Sequence, residues 1–225
     1  MSLVELWPVA GIRVTTADVE LSVPGPGDLE LLARLAAEGI YDPQNHYLPR
    51  TPVGGWEDVP SPEAERRFLR YVWSGWADWR PDRWNLLLAA RADGDLVGVQ
   101  EVGAQDFALT RTVSTGSWIA RRFQGRGHGQ AMRTAVLHLA FDGLHAERAD
   151  TAAWATNHAS LGVSRALGYR ENGTTVRSAE GRRVEQVNLT LPRSDWHRPA
   201  DDVTIIGLGP EAAAMLGIRA DAVPE

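Results

Sequence analysis

The chain has 225 residues, 44% of them hydrophobic, and a formal net charge of −6, which suits one sizeable core in a single globular domain. All 23 basic residues are arginine and cysteine is absent, which excludes a Walker-type phosphate loop, a lysine Schiff base, disulfides, thiolate zinc centres and a cysteine-bound acyl group. The acidic balance argues against sequence-independent nucleic-acid binding and no apolar run is long enough to span a bilayer, so a cytoplasmic protein with no nucleic-acid or membrane partner is expected.

Short strands are predicted at Ile12–Thr15 and Val19–Val23, before Pro24-Gly25-Pro26-Gly27 breaks the pattern. Asp28 then caps a helix running to about Glu38. Residues 39–63, with Tyr41, His46, Tyr47 and Trp56 among Pro, Gly and turn formers, read as a long ordered loop of the kind that lines sites. A helix follows from Pro62 to about Trp79, where Trp73 and Trp76 share a face as core or as the wall of a substrate channel. Strands over 84–89 and 95–102 flank Asp93-Gly94, a hairpin signal. Beyond a strand at 114–121, a helix from about Gly129 to Phe141 carries Met132, Ala135, Val136, Leu139 and Ala140 at helical spacing, with Gly143 as its stop. A strand at 149–156, a short helix capped by Asn157 and ended by Gly168, and strands near Tyr169–Thr175 and Val184–Leu191 complete a domain over residues 11–192. The extension at 193–225 holds a strand, Val203–Ile206, and a short helix from Gly209-Pro210 to Leu216. It is expected to pack on the same domain or on a partner subunit, the second case making a homodimer.

Residues Gln124-Gly125-Arg126-Gly127-His128-Gly129 join the strand that ends Ser117-Trp118-Ile119-Ala120 to the helix starting near Gln130. The first amides of a helix have no internal partner, so a glycine-rich entry lets them face an anion that the helix dipole also favours. From Phe107 to Phe141 there is no Asp or Glu, whereas Arg111, Arg121, Arg122, Arg126 and Arg133 all fall there. Forked arginine donors suit phosphate, so the window reads as a cradle for a small polyphosphorylated ligand, with a solvated basic face as the plain alternative. A dinucleotide-binding loop competes, because Glu147 falls about where a ribose-binding acid would. With Gly125 and Gly127 as the first pair, however, its third glycine belongs at position 130, which is Gln130.

The order strand, Gln-x-x-Gly-x-Gly, helix, strand, Asn-x-x-Ser, short helix, Leu-Gly-Tyr falls on Gln124, Gly127, Gly129, Asn157, Ser160 and Leu167-Gly168-Tyr169. It resembles the GNAT superfamily of CoA-dependent acyltransferases. Gly116-Ser117-Trp118, Gln124-Gly125-Arg126-Gly127 and Met132-Arg133 are more narrowly similar to the branch of ribosomal-protein N-terminal acetyltransferases, RimJ and RimL. The resemblance is densest from Val97 to Gly173. It implies an α/β fold of the α+β type: a mixed, mostly antiparallel twisted sheet, helices on both faces, and a splayed strand pair holding acyl-CoA. It also implies acetyl-CoA or succinyl-CoA as acyl donor, no metal, and direct attack by an amine acceptor: a protein α-amine, a protein Lys or a small molecule.

On the same resemblance, Trp118, Ile119 and Ala120 line the pantetheine, and the Ile119–Ala120 backbone polarises the thioester oxygen. Gln124, Gly125, Arg126, Gly127, His128, Gly129 and Gln130 surround the pyrophosphate, with Arg122 or Arg126 near a phosphate. Asn157 bonds the pantetheine arm, although a helix N-cap explains it too, and Ser160 stabilises or protonates the departing thiolate. Related enzymes often carry a carboxylate two residues before the glycine matching Gly116, where this chain has Ser114, so Glu101 and Asp106 become the candidate bases. Tyr169 reads as a packed aromatic. The serine at 114 also leaves a second reading, a non-catalytic acyl-CoA-binding module, which would bind without releasing CoA.

Overall fold

A computed structural model describes residues 1–41, 59–179, 181–199 and 202–218. In chain order the elements are α1 (Leu3–Leu6), β1 (Arg13–Thr15), β2 (Glu20–Ser22), α2 (Pro26–Ala37), α3 (Glu63–Ala77), β3 (Arg83–Ala92), β4 (Asp95–Gln105), α4 (Phe107–Thr110), β5 (Thr112–Ile119), α5 (His128–His138), β6 (Arg148–Trp154), α6 (His158–Ala166), β7 (Arg170–Ala179), β8 (Arg182–Pro192), β9 (Thr204–Ile206) and α7 (Pro210–Met215). The strands form one sheet of nine in the order β7-β8-β6-β5-β4-β3-β2-β1-β9. This is the mixed, mostly antiparallel sheet that the resemblance implies. The long loop expected over 39–63 falls, for residues 42–58, outside the described residues.

Local chemistry explains most boundaries. Asp93 and Gly94 adopt φ of 52° and 84°, which closes β3 onto β4 in a two-residue hairpin longer than the alternating pattern suggested. Asp28 is not the cap of α2: Pro26 opens that helix, and the Asp28 carboxylate reaches back to accept the Gly25 amide at 3.2 Å. Beyond its last α-helical residue, α5 continues through a π turn at Leu139–Gly143, stopping where Gly143 was expected to end it.

Consecutive strand residues point to opposite faces, and β5 shows which helices lie where. The Trp118 ring meets Phe68 of α3 at 5.9 Å, whereas Ile119 packs against Gly129 of α5. Thus α3, with α2 beside it, covers one face and α5 covers the other, with α6 next to α5. Leu21, Leu88, Val97, Val99, Val102, Val113, Ala149 and Leu191 are buried between these layers with Leu32, Phe68, Met132 and Leu139.

The extension closes on the domain that precedes it. Strand β9 pairs antiparallel with β1, and the indoles of Trp79 and Trp84 donate to the carbonyls of Met215 and Leu216 at 3.0 and 2.9 Å.

Candidate active site

Among the described residues, β5 and β6 are the one parallel pair of the sheet, and their pairing covers only Thr112–Ser114 against Arg148–Asp150. Past that point the strands separate. A clasp of side chains marks the parting: the Thr151 hydroxyl donates to the Thr115 carbonyl at 2.8 Å, and the Thr115 hydroxyl to the Asp150 carbonyl at 3.4 Å. Buried Arg133 of α5 donates to the Thr151 hydroxyl at 3.3 Å, and its guanidinium lies 5.9 Å from the Tyr169 ring centre.

Strand alternation decides which backbone groups face the gap. The Ala120 amide donates to Val97 of β4 at 2.9 Å, so every second residue back along β5 also turns its backbone to β4. Ser117 and Ile119 therefore present their amides to the gap, and Ala120, expected to help polarise the thioester, does not. On the other side, the Ala155 amide donates to Glu185 of β8 at 3.0 Å, which leaves Ala152 and Trp154 facing the gap. The Trp118 indole lies on the α3 face, so this residue lines the gap flank rather than its floor.

The gap opens onto the entry to α5. Gly125 and Gly127 have φ of 74° and 85°, a left-handed backbone that disfavours other residues, and nothing lies within 4 Å of a Cβ placed on either. The amides of Gly125, Arg126, Gly127, His128 and Gly129 have no hydrogen-bond acceptor among the described residues, and the first backbone bond into Gly127 comes from Gln130 at 3.0 Å. Unpaired amides at a helix N-terminus, with open space before them, fit a pyrophosphate. Gln124 turns inward instead, and its side-chain amide holds the Ile40 and Ile119 carbonyls at 2.7 and 2.8 Å, fixing the loop to α2 and β5. Arg122 is paired with Glu38, a carboxylate brought in from outside the acid-free window, while Arg126 donates to the Arg122 carbonyl at 3.0 Å. Among these exposed arginines, Arg126 has no carboxylate partner in the described residues.

Opposite Gly116, in register across the sheet, stands Glu101. Its Oε1 accepts the Tyr71 hydroxyl at 2.5 Å, Asn85 is the other neutral side chain acting on the carboxylate, and Oε2 lies 3.7 Å from where a Cβ on Gly116 would be. Burial raises the Glu101 pKa above the ordinary carboxylate value, against the lowering effect of the Tyr71 and Asn85 bonds. Asp106 is elsewhere. It sits exposed in the turn after β4 with φ of 51°, at the end of β5 remote from the gap.

Asn157 caps α6, its Oδ1 accepting the Ser160 amide at 3.1 Å, and this brings both half-buried side chains to the end of β6. Tyr169 is buried, as a packed aromatic, with its hydroxyl 3.4 Å from that of Thr115. Sequence reasoning missed Tyr71, Asn85, Ser117, Ala152 and Trp154. Register would have identified the last three, but nothing in the sequence pairs Tyr71 with Glu101.

The sequence model for the acetyltransferase (GNAT) domain matches residues 19–170. RimJ of Mycobacterium smegmatis, solved in complex with CoA-disulfide, superposes with a TM-score of 0.67 at 23% identity, over 84% of this chain and 89% of its own. A GCN5-related N-acetyltransferase from Brucella melitensis gives 0.62 at 16% identity, covering 82% and 80%. The microcin self-immunity acetyltransferase MccE, in complex with acetyl-CoA and AMP, gives 0.61 at 15%, covering 78% and 93%. At these identities the likeness is one of fold.

Proposed function

The chain belongs to the GNAT acetyltransferase family, and on that premise we propose that it transfers an acetyl or succinyl group from CoA to a primary amine, with Glu101 as the base. The observation that carries this reading is the gap between β5 and β6, open at one end onto amides at the entry to α5 that have no acceptor among the described residues, and flanked on the α3 face by the half-buried Glu101 carboxylate.

Acyl-CoA brings an activated thioester, and the protein's residues do the rest. The amides of Gly125 to Gly129, with Gln130 beside them and Arg126 nearby, hold the pyrophosphate. Backbone groups of Ser117 and Ile119 on one side, and of Ala152 and Trp154 on the other, align the pantetheine as an extra strand would. A gap-facing amide polarises the thioester oxygen, an effect typically worth ~3 kcal/mol per donor. An amine is largely protonated at neutral pH, about pKa 8 for an α-amine and about 10.4 for Lys. Glu101 takes the proton as the nitrogen bonds the acyl carbon and the carbon–sulfur bond breaks. Asn157, whose side-chain NH2 has no acceptor among the described residues, bonds the pantetheine arm, and Ser160 stabilises or protonates the departing thiolate.

The acceptor is a protein α-amine, a protein Lys or a small-molecule amine, and the fold shared with RimJ supports testing ribosomal-protein N-termini first. The setting is the cytoplasm, consistent with no described helix being long and apolar enough to cross a membrane. The outer edge of β9, with Ile206 exposed, is where a homodimer would form.

Native mass spectrometry with acetyl-CoA and succinyl-CoA, followed by CoA release over a panel of amines, tests the whole reading. Retention of one acyl-CoA and amine-dependent release of CoA are expected. Binding without release would replace the enzyme by a binding module, and retention of neither donor would remove the gap from consideration.

A further inference from the structure

A lone carboxylate under a helix is an ineffective base, for burial keeps it protonated. A carboxylate paired to arginine has the opposite defect, because the cation lowers its proton affinity. Glu101 has neither environment. Among the described residues no cation forms an ion pair with it, and its two side-chain donors, Tyr71 and Asn85, are neutral. They come from different elements, α3 and β3, and both also wall a cleft of about 210 Å³ whose mouth is formed by exposed Ser74, Asp78 and Arg83.

The geometry is directional. Tyr71 holds Oε1 at 2.5 Å on the side towards α3, while Oε2 lies over Gly116, where the absent side chain leaves the way to β5 clear. Gly116 stands one residue from Ser117, whose amide faces the gap.

We propose that Tyr71 and Asn85 are positioning residues: the Tyr71 hydroxyl holds Oε1 of Glu101 and Asn85 adds a second neutral donor to the same carboxylate, so that Oε2 is left to face the amine at the head of the gap. This rests on the assignment of Glu101 as the base. A donor pair without charge keeps the carboxylate ionised enough to act and basic enough to accept the proton. In this role their effect is exerted through Glu101 rather than by contact with substrate.

The test is the pH dependence of kcat/KM for the amine, measured in the full chain. In Tyr71→Phe the ring stays and the hydroxyl goes, so the acidic limb should move up by about one pH unit, a tenfold loss below the midpoint. KM for acyl-CoA should not change, and Asn85→Ser should move the limb in the same direction, which also serves if Tyr71→Phe does not fold. An acidic limb left in place by whichever of the two variants folds overturns the proposal. Glu101→Gln separates the two levels: if it keeps the wild-type limb, the base is wrongly assigned. If it abolishes the limb while Tyr71→Phe and Asn85→Ser leave it unmoved, the base stands and the positioning role falls.

Discussion

A carboxylate kept basic by burial weakens the fold that holds it, and Glu101 makes this measurable. Its folded-state pKa is raised, so its contribution to stability is present below the unfolded-state value and is lost as pH rises through the folded one. At neutral pH the wild-type protein therefore bears a penalty that a neutral isostere does not, about 1.4 kcal/mol for each unit of displacement. Glu101→Gln should raise the melting temperature at pH 7, by roughly 2–4 °C per kcal/mol for a chain of this size, and the gain should vanish near pH 4. The same substitution should lower amine transfer by a factor of about 10² to 10⁴, the usual worth of a general base. Thermal melts at the two pH values, set beside CoA release, check both halves, and a variant no more stable at pH 7 would mean that Glu101 is not desolvated. Ser160→Ala belongs to the same scale: if its hydroxyl serves the departing thiolate, turnover at saturating acyl-CoA falls, and unchanged turnover removes that role.

At the level of elements, the entry to α5 and the close approach of β5 to β4 at Gly98 do most to shape the site. Gly127 sits at φ of 85°, where an L side chain costs about 1–2 kcal/mol. Gly127→Ala should weaken acyl-CoA binding about tenfold, because relief of that strain turns the α5 amides away from the pyrophosphate, and isothermal titration would read it directly. Gly98 matters differently. A Cβ there would lie 2.1 Å from the Trp118 carbonyl, so the end of β5 can approach β4 this closely only because position 98 has no side chain. The glycine loop was legible in the sequence because it is local: its spacing, its missing acids and its position after a strand all lie within one short stretch. Helix periodicity and the Asp93-Gly94 turn were local as well. The inward use of Gln124, the engagement of the Ala120 amide by Val97 and the Glu38–Arg122 pair were not, since each joins residues whose proximity arises only when the sheet assembles. Asp106 shows the reverse case: near Glu101 in sequence, it is carried by an extended strand to the wrong end of β5.

Across the whole molecule, the gap lies between the third and fourth strands of the sheet; within the extension, Trp196 packs on His138 and Phe141 at the far end of α5, whereas β9 and α7 are held by β1, Trp79 and β3 on the other side of β4. Docking of β9 and α7 should therefore support stability with little effect on donor binding. Two indoles make that docking specific. Trp84 is buried, donates to the Leu216 carbonyl at 2.9 Å, and lies between Trp79, stacked at 6.1 Å, and Phe107, edge-on at 6.0 Å. In Trp84→Phe the aromatic packing is largely kept while the carbonyl loses its donor in a dry environment, which costs about 1–3 kcal/mol. A fall in melting temperature of roughly 2–12 °C is expected at this chain length. Limited proteolysis should then cut first beyond Trp196, while the acyl-CoA dissociation constant stays within about twofold, as additivity between distant sites requires. If the melting temperature does not move, the extension is not held by this bond in solution. If acyl-CoA affinity falls with it, β3 and β4 transmit the loss to β5, and the half of the sheet bearing the extension helps to keep the gap open.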